Sequence, residues 1–262
     1  MYVNNFLECK RAGKLCTSFG IKISSNALVV QIARNADFDC LFIDLEHGWL
    51  SLSETANLCN VGNMTGITPF VCLPPQCGSG FVQRVLDGGA MGVFFPHIES
   101  PEEAEAAVTI SKYPPLGCRS IIGQAPLFGM CSVPPAEMME LTNQTGSSVF
   151  IMIESLRGVG RVEEIVLIDG VDAIVVGCQD LSVDLGVPGQ VDSDQIRSAL
   201  DTVSMVCWKH NKIFGVAGIY DDPGLQDWVI NTLGARFMLV QHDSSILTSG
   251  AIKAVITVPP IR

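Results

Sequence analysis

The sequence predicts an α/β protein, and within that class a closed (β/α)8 TIM barrel. Three observations carry this reading. Eight short apolar runs recur along the chain, helix-period segments separate them, and 262 residues is close to the roughly 250 of one such barrel. The runs are nearly continuous rather than alternating, as parallel strands covered on both faces require. No G-x-G-x-x-G follows the first run, which weighs against an open dinucleotide-binding sheet.

In chain order, LCTSFGIKI (15–23) reads as the first strand. Ser24-Ser25-Asn26 then supply start signals for the helix ALVVQIARNA. CLFIDLE (40–46) is the second strand, and Ser51 to Ser53 precede the helix ETANLCNVG. TPFVCLP (68–74) and GVFFPHI (92–98) are the third and fourth strands. Ser100 before Pro101 and two glutamates opens EAEAAVTISK, with proline suited to the first helical position. A long connection, about 114–147, holds two Pro-Pro pairs and a helical piece, AEMMELTNQ; loops of that size are usually functional or interface-forming. SVFIMIES (148–155) and DAIVVGCQD (172–180) are strands five and six, and Asp192-Ser193 opens a long helix ending near Lys212. KIFGVAGIY (212–220) is strand seven, and Asp221-Asp222-Pro223 opens GLQDWVINTLG, which Gly234 stops. FMLVQHD (237–243) closes the set, followed by a charge-poor helix, SSILTSGAIKAVI. With no linker or repeat, residues 1–262 are expected to form one domain.

Composition excludes several function classes. The chain is 48% hydrophobic and only 16% charged, the reverse of a disordered protein. Sixteen Lys+Arg against 27 Asp+Glu give a net charge of -11, which opposes nucleic-acid phosphates and anionic membranes. A small-molecule substrate remains, anionic ones included, because a bound metal inverts the local sign. No run approaches the ~18 apolar residues of a membrane span, and the first residues lack a signal-peptide core. Ten scattered cysteines without a C-x-x-C read as reduced thiols, so a cytoplasmic location is expected. The apolar surplus, in the last helix above all, predicts a homo-oligomer.

In a barrel the chemistry gathers at the C-terminal ends of the strands. There the sequence places Asp44, Glu46 and His47, then His97, Glu154 and Asp180. Burying unpaired carboxylates after such apolar runs costs several kcal/mol, and a shared divalent cation offsets that. Carboxylates without a Cys/His cluster favour Mg2+, with Mn2+ as the second choice. Glu154 and Asp180 are the candidate ligands. Asp44 and Glu46, two apart, are placed to hold metal-bound water, and helix capping or arginine pairing is the alternative use of such acids. His47 is the candidate general base, because histidine as a residue type titrates near neutral pH. His97 is the weaker candidate, His210 at a helix end reads as structural, and His242 stays open.

Five motifs then occur in order: F-I-D-L-E-H-G, R-V-L-D-G-G-A, Y-P-P-x-G-C-R-S, I-M-I-E-S and V-G-C-Q-D-L-S-x-D-L-G. Across about residues 12–250 the chain resembles the metal-dependent pyruvate aldolases typified by 2,4-dihydroxyhept-2-ene-1,7-dioate aldolase. Its stretches FVQRVLDGGAMGVFFPHIES and ISKYPPLGCRSIIGQ are most similar to the fungal branch that includes macrophomate synthase. The resemblance implies a barrel of the phosphoenolpyruvate/pyruvate-binding type and carbon–carbon lyase chemistry through a metal-stabilised enolate. It also implies a hexamer with its last helix exchanged between subunits. It makes Glu154 and Asp180 metal ligands, Asp44 and Glu46 outer-sphere acids, and His47 the catalytic histidine. His97 matches the histidine after strand four, and Asp87 an acid that approaches a neighbouring subunit's site.

The chain departs from that pattern in the substrate pocket. The resemblance implies an arginine at the end of strand three that binds the substrate carboxylate, and Cys72 stands in its place. A thiol cannot supply that two-pronged cationic contact, worth ~1.5–3 kcal/mol. Met138-Met139 replace a tyrosine, Met152 a glutamine, and Cys178-Gln179 a Pro-Ala pair. Cys72, Met152, Cys178 and Gln179 are therefore the candidate substrate-binding residues. The departures admit three functions: a lyase with an altered pocket, a repurposed biosynthetic enzyme cyclising or dehydrating a larger apolar substrate, or a non-catalytic barrel.

Overall fold

In the computed structural model, which describes residues 1–259 and 261, eight parallel strands close into a barrel in sequence order. They are β1 (Cys16–Ile21), β2 (Cys40–Asp44), β3 (Thr68–Cys72), β4 (Gly92–Phe95), β5 (Ser148–Ile153), β6 (Ala173–Gly177), β7 (Ile213–Ala217) and β8 (Phe237–His242). Closure runs through β1 and β8, where Cys16 is level with Phe237 and Gly20 with His242. Every strand residue but three is buried, which is why the runs carry so few polar side chains.

The helices are α1 (Asn5–Ala12), α2 (Leu28–Asn35), α3 (Leu52–Thr65), α4 (Ser79–Asp87), α5 (Pro101–Ser111) and α6 (Pro135–Leu141). They continue as α7 (Leu156–Ile165), α8 (Cys178–Asp184), α9 (Asp194–Lys209), α10 (Pro223–Asp227) and α11 (Asp243–Ile256). Ser51 and Ser100 each complete a capping box, with Glu54 and Glu103, so two orphan N–H groups are satisfied at each start. Asp222 accepts from Leu225 N–H with Pro223 in the first turn. Ala27, not the serines before it, caps α2, and it makes no side-chain bond.

Two boundaries differ from the sequence reading. The strands stop one to three residues earlier than their apolar runs, and in the sixth the difference has consequences. Residues 178–180 open α8 directly, because Gly177 ends β6 and turns into the helix without a polar linker. Residues 5–12, given no element above, form α1, capped by Asn4 and ended by Gly13 in the left-handed region. Its Phe6 plugs the floor of the barrel, with ring centroids 4.8 Å from Phe150 and 5.9 Å from Phe70.

The apolar interior has two layers. Leu41, Val71, Ile151 and Ile174 face the surrounding helices, while Phe42, Phe70, Phe94, Phe150 and Phe237 fill the barrel itself. The floor also holds buried thiols, Cys16 and Cys40, with their sulfurs 3.2 Å apart; all ten cysteines are free. Among the described residues no helix is long and apolar enough to cross a membrane. In α11 only Asp243 is buried, and Leu247, Ile252, Val255 and Ile256 are exposed.

Candidate active site

A cavity of about 310 Å³ opens at the C-terminal ends of the strands. Asp44, Glu46, His47, Cys72, Met152, Glu154, Cys178, Gln179 and Asp180, all singled out from sequence, line it. Glu154 follows β5 and is 6% exposed; its Oε2 accepts the backbone N–H of His97 at 2.8 Å. Burial pushes its carboxyl up to about 7, reinforced by the charges of Glu46 and Asp180 and opposed by His97. Gly177 makes room for it, since a Cβ there would lie 2.3 Å from Glu154 Oε1.

His97 is more central than its sequence context suggests. Its backbone takes the left-handed region (φ 54°), and its ring, which lines a neighbouring pocket rather than this cavity, still reaches two of the cavity's carboxylates. Nε2 lies 2.9 Å from Glu46 Oε1 and Nδ1 3.3 Å from Glu154 Oε2. Burial opposes charge on the ring, but Glu154, Glu46 and Asp180 together outweigh it and raise the His97 pKa. His47 is the more open ring, its Nε2 3.9 Å from Glu46 Oε2, while its backbone N–H is held by Asp44 Oδ1 at 2.9 Å. Asp44 Oδ1 also accepts from Glu46 N–H, which fixes the turn after β2.

Cys72 ends β3, buried, and its thiol donates to Glu46 Oε2 at 3.8 Å. Burial and then the carboxylates of Asp44, Glu46 and Glu154 push the thiol well up, so it stays neutral and is neither cation nor nucleophile. Asp180 lies in the first turn of α8, exposed to the cavity, rather than at a strand end. Gln179 spends its amide on Gly218 O at 2.8 Å. Asp87 is not brought to this cavity within one chain. It ends α4 and accepts from Arg119 at 2.7 Å, because the long connection carries that arginine over it. His210 caps the end of α9 and bonds Glu163 at 2.8 Å, a structural use.

The cavity also holds Lys22 and Tyr220, which the sequence reading passed over, and His242, which it left open. Lys22, just past β1, has Nζ 3.3 Å from Asp44 Oδ2 and is the one Lys or Arg lining the cavity among the described residues. His242 at the end of β8 and Tyr220 beyond β7 complete that wall. A lone lysine inside the apolar run GIKI was the available signal for it.

The donor set suits a hard divalent cation. Glu154 and Asp180 present oxygen donors in one cavity, and Asp44 and Glu46 bring its acids to four against one lysine. Burial and that balance hold the proton on Glu154, and a bound cation would displace it.

Residues 22–225 match the family HpcH/HpaI aldolase/citrate lyase. The chain belongs to this family. As a member it is a lyase, and full-length relatives agree. It is 44% identical to 4-hydroxy-4-methyl-2-oxoglutarate aldolase of Hapsidospora irregularis, over 100% of this chain and 97% of that one. It is 47% identical to the enzyme of the same name from Chaetomium globosum, over 95% and 93%. Among solved structures, an HpcH/HpaI aldolase from Desulfitobacterium hafniense superposes with a TM-score of 0.91 at 26% identity, covering 100% of both chains. Macrophomate synthase, at 21% identity and a TM-score of 0.79 over 96% and 89%, shares the fold. The family, the lyase class and the fungal likeness expected from the five motifs are thereby established.

Proposed function

We propose that this lyase is a divalent-metal-dependent aldolase that cleaves the C3–C4 bond of a 4-hydroxy-2-oxo acid and forms it in reverse. The first substrate to test is 4-hydroxy-4-methyl-2-oxoglutarate, which yields two molecules of pyruvate. The observation that carries this is Glu154: a buried carboxyl raised to about 7, in one cavity with Asp180, His47 and His242. The fungal relatives named for this substrate support the choice.

Glu154 and Asp180 would hold the cation, Mg2+ or Mn2+, with Glu46 and Asp44 behind them. When bound, it supplies Lewis-acid polarisation of the substrate's 2-oxo group. His47 Nε2, open to the cavity, takes the proton from the C4 hydroxyl as the C3–C4 bond breaks; the electron pair stays on C3, and the protonated His47 then gives that proton to C3, which returns the ring to its starting state. His97 holds Glu46 and Glu154 in place through its two ring nitrogens. Met152 and Cys72 give the cavity an apolar floor that excludes water from the carbanionic carbon.

A cavity of about 310 Å³ suits a small acid better than the bulky apolar substrate of the biosynthetic alternative. The ten free thiols support a reducing compartment such as the cytoplasm. The uncovered α11 supports assembly with further copies of the chain, a hexamer being the expected form, in which Asp87 would meet a neighbour's cavity. Pyruvate release from 4-hydroxy-4-methyl-2-oxoglutarate, followed through lactate dehydrogenase, tests the function. Turnover that needs Mg2+ or Mn2+ and stops with EDTA is expected; no turnover with any 4-hydroxy-2-oxo acid in either metal would overturn it.

A further inference from the structure

The wall of the cavity away from Glu154 and Asp180 holds an unspent donor. His242 is 7% exposed, and its Nε2 has no hydrogen-bond partner. A buried polar atom left in that state is costly unless a ligand completes it. The nearest acceptor, Asp44 Oδ2, is 3.9 Å away, beyond hydrogen-bond reach. The ring's other nitrogen, Nδ1, faces the Tyr220 hydroxyl at 3.4 Å. Burial raises the Tyr220 pKa, so this hydroxyl keeps its proton and can donate it to Nδ1. Burial and the nearby Lys22 push the His242 ring down to about 4, so it is neutral and carries its single proton on Nε2. The ring's position is built in, since a Cβ on Gly20 would lie 2.4 Å from its Cδ2.

Lys22 stands beside this donor. Its backbone N–H, with those of Ile23 and Ser24, is clamped by the buried carboxylate of Asp243 at 2.8 to 3.2 Å. The clamp ties the loop after β1 to the start of α11 and sets the lysine over the cavity. Its ammonium meets only one oxygen of Asp44, at 3.3 Å, leaving donors free.

Strand order fixes where this wall lies. In a closed ring of eight, β1 stands opposite β5, so Lys22 and His242 face Glu154 across the mouth. A substrate whose 2-oxo end sits at Glu154 and Asp180 therefore extends its far end toward them. We propose that Lys22 and His242 form a subsite for a second carboxylate, so that the lyase reads dicarboxylic 2-oxo acids by both ends. This rests on the aldolase reading for the orientation of the 2-oxo end.

The test separates the two ends. Oxalate probes the metal-chelating end alone, whereas 2-oxoglutarate carries the second carboxylate; calorimetry with Mn2+ gives both affinities. Wild type is expected to bind both. Lys22→Met, of similar length, should weaken 2-oxoglutarate by about tenfold or more and leave oxalate within about twofold, with Lys22→Arg restoring most of the loss. His242→Phe should weaken 2-oxoglutarate several-fold in the same selective way, and thermal melts check that each variant folds. Equal losses for both probes, or no loss for either, would overturn the subsite. Wild type that binds neither probe with Mn2+ would instead overturn the aldolase reading beneath it.

Discussion

Glu154→Gln separates what the buried carboxylate costs from what it does. Burial raises its pKa from 4.5 to about 7, so between those values the native state keeps a proton that the unfolded chain has released. Stability must then fall as pH rises through that window. The contribution is fully present below about 4.5 and gone above about 7. One pKa unit corresponds to 1.36 kcal/mol, which makes the ionised form cost about 3 kcal/mol. At 6% exposure, solvent screens little of this. Glutamine keeps the shape and cannot ionise. With EDTA present, wild type is expected to lose about 3 kcal/mol more than Glu154→Gln between about pH 4.5 and about pH 7.5. Urea unfolding followed by circular dichroism at stepped pH measures the difference. Saturating Mn2+ should return the loss to wild type, by pairing the ionised carboxylate, and do little for the variant. Parallel pH profiles in EDTA would refute the buried, proton-holding carboxyl, and equal Mn2+ stabilisation of both proteins would refute its use as a ligand.

Asp180→Ala should weaken Mg2+ or Mn2+ binding by at least about tenfold while thermal stability in EDTA is unchanged or improved, since one like charge beside Glu154 is gone; calorimetry decides it. Cys72→Arg should raise kcat/KM for oxaloacetate decarboxylation about tenfold, near 1.4 kcal/mol, by adding a cation beside Asp44 and Glu46; a folded, metal-binding variant with no gain on any 2-oxo acid would show that Cys72 does not stand at an anchor position. Light scattering at micromolar concentration should give a multiple of the chain mass, because exposed Leu247, Ile252 and Val255 on α11 need a second copy to cover them; a monomer would end that expectation.

The barrel was legible because two-sided burial leaves a trace that any reader of hydropathy can follow. Serine caps before Glu54 and Glu103 were equally plain, since a capping box is local chemistry. By contrast, α1 buries only Phe6 and Cys9 in eight residues, so its period is nearly invisible. The β6–α8 junction hid for the opposite reason: Cys178 and Leu181 are buried too, so the apolar run crosses from strand into helix unmarked. The acids at the strand ends could be found one by one, since a carboxylate after an apolar run is anomalous wherever it falls. His97 was underrated because its reach to Glu46 and Glu154 depends on a left-handed backbone. The wall of Lys22 and His242 needed closure itself: Asp243 clamps Lys22 from 221 positions away, and only β1–β8 pairing brings them together.

Closure also changes what the thiol at position 72 means. Seen along the sequence, a cysteine where the resemblance implies arginine is a lost anchor. Seen around the barrel, the cavity still has one cation, placed at the end of β1 instead of β3, with Asp44 of β2 between the two positions. The thiol of Cys72 supplies no charge there, because burial and three carboxylates hold its proton on. A monocarboxylic acid bound by its 2-oxo end at Glu154 would leave Lys22 and the orphan nitrogen of His242 unmet across the mouth. An acid with a second carboxylate satisfies both, and the unpaired donor then discriminates against shorter acids more strongly than any added apolar contact would. The neutral thiol at 72 and the lysine at 22 thus share one cavity, and its fixed positive charge stands at the wall where the proposed subsite places the far end of the substrate.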